Sequence, residues 1–276
     1  MSVTQPSDLL KDDLALIPAS YPSLKQAVIL GLLLFWGGWA LHLSLFSLMP
    51  YLSPFAQDVA YLTDLMLPVS LVAFYLFTQQ KKQHITPLSL RIPKGDNLWM
   101  LLLIVPALYV QLTFLKHYIR VPFNWSGNGF LRDAGLLYCI VFVIILPAIQ
   151  EFVFRGVILN GLLRKYPPHI ALIAATLMAA LPYLYPASIL YYLPVSFFLC
   201  WLYYRSRSVV FTYISNAMLS LIPLLLNIRQ KDNITALGEF GDLNESVPIL
   251  LTVVIVFWVV IIFFNKNIIE SNKTIN

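Results

Sequence analysis

Glu151 and Arg155 set a carboxylate and a guanidinium four residues apart in a stretch, 146–156, whose other residues are almost all apolar. Positions i and i+4 share a helix face, so the two side chains can pair. Charges at bilayer depth are costly and turn toward a bundle interior or a wet cavity. Such a pair is either a reactive site, with the carboxylate a candidate proton acceptor, or a clamp that staples one helix. Other polar residues fall level with it. The apolar segments around 136–163 and 168–186 meet at Tyr166, Pro167 and Pro168. Gln150 and Glu151 lie about 15 residues before that turn and Tyr183 about 15 after it, roughly 22 Å along each helix. Asn216 and Ser220, also four apart, share a face roughly 15–20 Å from the turn at Arg205 and Arg207. Gln150, Tyr183, Asn216 and Ser220 therefore converge at one depth, and a cavity entered from the cytoplasmic side is the expectation.

The rest of the chain must hold these residues in lipid. Hydrophobic residues make up 59% of the 276, charged residues 11%, and the mean hydropathy is +0.77, too apolar for a soluble domain of this length. Apolar runs near the ~20 residues that span a bilayer recur at 26–49, 58–78, 98–118, 136–163, 168–186, 187–204, 208–227 and 247–264. The expected fold is all-α, a polytopic membrane helix bundle of about eight transmembrane helices. It divides into a cytoplasmic tail over 1–25, a transmembrane domain over 26–265 with its motif-bearing half at 136–227, and a cytoplasmic tail over 266–276. Twelve Lys and Arg fall on segments that are inner when the N-terminus is inside, against five on outer segments. Both termini are therefore placed in the cytoplasm of a cell-membrane protein. The N-terminal tail has neither the basic region nor the cleavage site of a signal peptide.

Several chemistries are disfavoured. Cys139 and Cys200 both fall inside apolar runs, which argues against a disulfide framework or a thiol catalyst. A catalytic zinc needs three His, Cys, Asp or Glu ligands, and the convergent cluster supplies only Glu151, so no metal and no other cofactor is expected. The charge of +5 is accounted for by the membrane topology, with no nucleic acid as partner. The inner loop 79–97 is basic and could rest on anionic headgroups. Polar residues of the first half (His42, Asp64 and Gln111) are read as helix–helix hydrogen-bonding groups. In the second half they are denser: Gln150, Glu151, Arg155, Asn160, Thr176, Tyr183, Ser215, Asn216 and Ser220.

This pattern resembles the CPBP family, which joins type II CAAX prenyl proteases with bacteriocin-processing and Abi-like proteins, all eight-helix intramembrane glutamate proteases. The family's first motif, Glu-Glu-x-x-x-Arg, is similar to Gln150, Glu151 and Arg155, followed by 156–164. Its second, Phe-x-x-x-His, falls on Ala179 and Tyr183. Its third, His-x-x-x-Asn, falls on Asn216 and Ser220, after a stretch 203–208 that also looks like the family. The resemblance covers about 136–227.

In the family, the first glutamate and the second motif's histidine are thought to activate a water, and the third motif's residues to stabilise the oxyanion. The resemblance carries those roles to Gln150, Tyr183, Asn216 and Ser220, and none of the four matches. A neutral amide is no general base, and a phenol of pKa near 10 is a poor proton acceptor. Asn216 and Ser220 still offer hydrogen bonds to an oxyanion. Adjacent helical positions point about 100° apart, so Glu151 is expected to face away from Gln150 and to be engaged by Arg155. Of the histidines, His169 and His84 lie too near the inner side, His117 ends a span, and only His42 is deep. The leading expectation is a degenerate, non-catalytic member whose polar pocket binds a membrane protein, a peptide or a lipid-linked segment among membrane lipids. Two alternatives stand beside it: an active endopeptidase with altered catalytic residues, and a transporter or structural subunit of a membrane complex.

Overall fold

The computed structural model describes residues 22–52, 54–83, 95–119, 139–181, 186–230 and 243–273. Among them there is no strand. Eight helical rods follow one another: α1 (Leu24–Leu48), α2 (Pro54–Gln83), α3 (Gly95–Ile119), α4 (Val141–Lys165), α5 (Pro168–Ala180), α6 (Pro186–Ser206), α7 (Val209–Gln230) and α8 (Leu243–Lys273). Their number and order follow the apolar runs. The rods α2 and α8 overrun their runs at polar ends (Gln79, Gln80 and Lys81; Asn265 to Lys273), because backbone hydrogen bonding propagates a helix past the point where side chains stop preferring lipid.

Local chemistry sets the boundaries. Ser23 Oγ accepts from the Gln26 amide (3.4 Å) while Gln26 Oε1 accepts from the Ser23 amide (2.8 Å), a reciprocal capping box that starts α1. The α4–α5 turn is dictated by two prolines. A residue before proline is driven out of the helical region. Tyr166, before Pro167, is extended at φ −125°, ψ 154°, and Pro167, before Pro168, sits at φ −53°, ψ 146°. The Tyr166 hydroxyl accepts the Leu24 amide at 3.2 Å, tying the start of α1 to this turn. At the α6–α7 turn Arg207 takes the left-handed conformation, φ 51°, and donates its amide to the Tyr203 carbonyl at 2.7 Å. Ser208 Oγ then accepts the Phe211 amide at 3.3 Å and starts α7.

The rod α4 is not a uniform α-helix. It runs as a π-helix over Val141–Ile145, an α-helix over Leu146–Glu151, a second π-helix over Phe152–Leu159, and an α-helix over Asn160–Lys165. Pro147 explains the first π segment, since its ring clashes with the carbonyl four residues back and its missing N–H leaves that carbonyl without its partner. The second begins immediately after Glu151 and contains Arg155, and π segments are rare and gather at functional positions.

α4 sits at the centre. It packs against α2, α5, α6 and α7, while α1 packs on α2 and α5, and α3 on α6, α7 and α8. Two apolar clusters result. One joins α1, α2, α4 and α5 through residues such as Leu34, Leu76, Phe154 and Ile158. The other joins α3, α6, α7 and α8 through Leu101, Ile104, Phe211 and Phe264. The bundle is also apolar outside: Leu33, Trp36, Phe74, Leu102, Ile173 and Ile262 are all more than half exposed. By length and composition two helices could cross a membrane, over Leu24–Leu45 and Val141–Lys165. The α5 helix, expected to span over 168–186, has 13 residues, about 20 Å of rise against the ~30 Å hydrocarbon core.

Candidate functional site

The charged pair lies on the seam between the two clusters, on the side of α4 that meets α5, α6 and α7. Arg155 Nη1 donates to Glu151 Oε1 at 3.0 Å, with the side chains 3% and 0% exposed. The expected i, i+4 pair is therefore formed, wholly inside protein. The other Arg155 nitrogen, Nη2, reaches α6 and donates to the Ser196 carbonyl (3.1 Å) and to Ser196 Oγ (3.3 Å). Ser196 Oγ passes its own proton to the Thr176 carbonyl of α5 at 3.3 Å. One guanidinium thus ties three helices. Cys200, one turn after Ser196 and fully buried, lies beside Arg155 and Thr176.

On the opposite flank stands α7. Asn216 Nδ2 donates to Glu151 Oε1 at 2.8 Å and reaches Gln150 Oε1 at 3.3 Å. This corrects the expectation that Gln150 and Glu151 face different surroundings. Their directions do diverge, but the Asn216 amide lies between them and is within hydrogen-bond distance of both. Thr212, one turn before Asn216, lies beside Glu151. Its single hydroxyl proton goes to the Val209 carbonyl at 2.9 Å, so Thr212 has none left for the carboxylate. Ser215 likewise donates to the Phe211 carbonyl at 2.9 Å.

The candidate residues therefore divide. Gln150, Glu151, Arg155 and Asn216 are brought together. Ser220, half-buried, lies one turn further along α7 on the face of Asn216. Ala179 is buried on α5, and Tyr183 lies outside the described residues, as do His84, loop 119–133 except its first residue, and most of 228–246. His42 is half-buried on α1 and His169 exposed at the start of α5, both outside the network. The side chains of Asp64 and His117 also lie outside what is described. Gln111 is on α3, its Nε2 buried without a hydrogen-bond partner among the described residues.

Two members of the network were not expected, Ser196 and Thr212. Thr212 carried a signal, since Thr212, Asn216 and Ser220 recur every four residues on α7. Ser196 carried none: it is a lone hydroxyl in an apolar helix whose partner sits 41 residues away.

Chemically, Glu151 Oε1 is occupied twice, by a cation and by an amide. Glu151 Oε2, Arg155 Nε and Thr176 Oγ1 are buried and have no hydrogen-bond partner among the described residues. A carboxylate held this way is anchored on one oxygen and, among the described residues, unsatisfied on the other, which is buried. Among the described residues no cluster of three His, Cys, Asp or Glu is present, and nothing in the network has the donors to hold a metal.

Against known proteins the chain finds no match among curated proteins and none among solved structures. Its residues 132–222 match a family described as Type II CAAX prenyl endopeptidase Rce1-like. That segment holds α4, α5, α6 and most of α7, and with them the Glu151–Arg155–Asn216 network. Through these helices, about a third of its length, the chain is similar to the type II CAAX prenyl endopeptidases of that family.

Proposed function

We propose that this chain is a multi-pass membrane protein, both termini cytoplasmic, that keeps an intramembrane protease's framework as a non-catalytic binding, scaffold or regulatory protein. The bundle's apolar exterior supports embedding, since a surface of exposed Leu, Ile, Phe and Trp on α1, α2, α3, α5 and α8 suits lipid and not water. The observation that carries the non-catalytic reading is the position of Gln150. Where the resemblance calls for the carboxylate that activates water, an amide stands, and its oxygen lies 3.3 Å from Asn216 Nδ2. An amide oxygen takes up no proton at neutral pH, so that position can orient a group but cannot deprotonate one. The neighbouring carboxylate is engaged by Arg155 and Asn216, which favours a structural part for it. Gln150, Tyr183, Asn216 and Ser220 would line the pocket, with a peptide or lipid-linked segment as occupant.

The unsatisfied, buried Oε2 of Glu151 favours a second reading, an endopeptidase in which that oxygen holds the attacking water. One experiment separates the two. A fluorogenic, prenylated C-terminal peptide is presented to the purified chain in lipid nanodiscs, with binding read by anisotropy and turnover by fluorescence. Binding without turnover is expected. Turnover is expected to appear when Gln150→Glu, Tyr183→His, Asn216→His and Ser220→Asn are combined. Cleavage by the unaltered chain that is lost in Glu151→Ala would establish the second reading and end the first.

A further inference from the structure

Three arginines remote from the buried network are gathered by the fold at the end of the bundle where α4 stops and α6 turns into α7. Arg164 lies in the last turn of α4 and Arg205 in the last turn of α6, and Arg207 forms the turn. Arg164 and Arg207 both lie within electrostatic reach of the Tyr203 hydroxyl. Arg205 and Arg207 both place their guanidinium over the Tyr204 ring, at 6.0 and 5.5 Å from its centroid.

No carboxylate among the described residues pairs with Arg205 or Arg207. Arg205 is half-buried, and its Nε has no acceptor among the described residues. Arg207 is the one described non-glycine residue with positive φ, 51°, a conformation usually given to Gly or Asn. Two charges thus lie on one aromatic ring, one of them on a strained backbone, with no counter-ion among the described residues.

We infer that Arg164, Arg205 and Arg207 form a binding site for the phosphate of an anionic phospholipid headgroup. Planar guanidinium forks match phosphate oxygens in bidentate geometry, and Arg164 and Arg207 are exposed where such a group would arrive. The depth fits a headgroup, because the site lies where helices end and tyrosines (Tyr166, Tyr203 and Tyr204) gather, as at a membrane–water interface. The inference rests on membrane embedding and is independent of whether the buried site cuts peptides.

The test uses the full chain in neutral detergent, titrated with short-chain phosphatidylglycerol or phosphatidylcholine, with bound lipid counted by native mass spectrometry. The variants are Arg164→Gln, Arg205→Gln and Arg207→Asn; asparagine tolerates the left-handed turn, so that variant removes charge without breaking the chain's path. Lys266→Gln, an exposed cation on α8, is the matched control. Expected is tighter binding of phosphatidylglycerol than of phosphatidylcholine, weakened about five-fold by each arginine variant and unchanged in the control. Equal affinity for the two lipids overturns the inference, as does equal weakening in the control. Displacement of the lipid by inorganic phosphate at equal concentration overturns it in favour of a free-anion site.

Discussion

Breaking the Glu151–Arg155 pair tests the central geometry directly. In Arg155→Met the chain loses three hydrogen bonds, one to Glu151 Oε1 (3.0 Å) and two to Ser196 (3.1 and 3.3 Å). It also leaves a carboxylate of 0% exposure with Asn216 alone. Removing one partner of a buried ion pair costs about 3–5 kcal/mol, because the other charge stays buried. Glu151→Gln leaves the Arg155 charge buried in turn, but its amide oxygen can still accept from Asn216 and Arg155 keeps Ser196, so it should fall at the lower end of that range, about 3 kcal/mol. The double variant leaves no buried charge. Its cost should fall short of the sum of the singles by about 2 kcal/mol, within the range of contacting residues. Equilibrium unfolding in mixed micelles with a rising fraction of dodecyl sulfate, followed by circular dichroism, measures all four corners of the cycle. Additivity to within about 0.5 kcal/mol would refute the pair as a coupled buried unit.

Other perturbations have equally definite outcomes. Asn216→Asp sets a second carboxylate 2.8 Å from Glu151 Oε1, and one of the two must protonate or move; it should destabilise more than Asn216→Ala, read by the same unfolding measurement. Gly31 and Gly37 of α1 should diverge. A Cβ at Gly31 would meet Leu181 Cδ1 at 3.0 Å and Met178 Cγ at 3.2 Å, whereas at Gly37 nothing lies within 4 Å. Gly37→Ala should therefore gain up to about 1 kcal/mol of helix propensity, while Gly31→Ala gains less or loses, as melting temperatures in one detergent will show. Arg207→Gly relieves the left-handed strain and should stabilise the lipid-free protein by about 1 kcal/mol while weakening phosphatidylglycerol binding. Ser23→Ala opens the capping box and should cost about 1 kcal/mol, visible as faster amide exchange over the first turn of α1.

How much of this was legible beforehand follows from the range of each interaction. The Glu151–Arg155 pair is local, four residues on one helix, and spacing alone predicted it. The α4–α5 turn was legible too, because Pro167 and Pro168 act on the residue just before each of them. Asn216 was placed at the right depth by counting from a turn, yet counting gives depth and not azimuth. Whether one amide could reach both Gln150 and Glu151 depended on how α7 is rotated against α4, which packing decides. Ser196 was invisible for the same reason, since its role exists only because α6 crosses Arg155. The π segment Phe152–Leu159 has no composition signal, and its effect is to turn Arg155 relative to Glu151 by a different step than an α-helix would. The site's identity is therefore written in local spacing, while its wiring is written in the rotation of four helices about α4. That division bears on function: replacing Gln150, Tyr183, Asn216 and Ser220 alters the chemistry at four side chains while leaving the Arg155–Ser196–Thr176 tie intact. A frame held by one set of residues and a pocket's chemistry by another would let those four side chains change without unmaking the fold, and this is why exchanging them is a fair test of the proposed function.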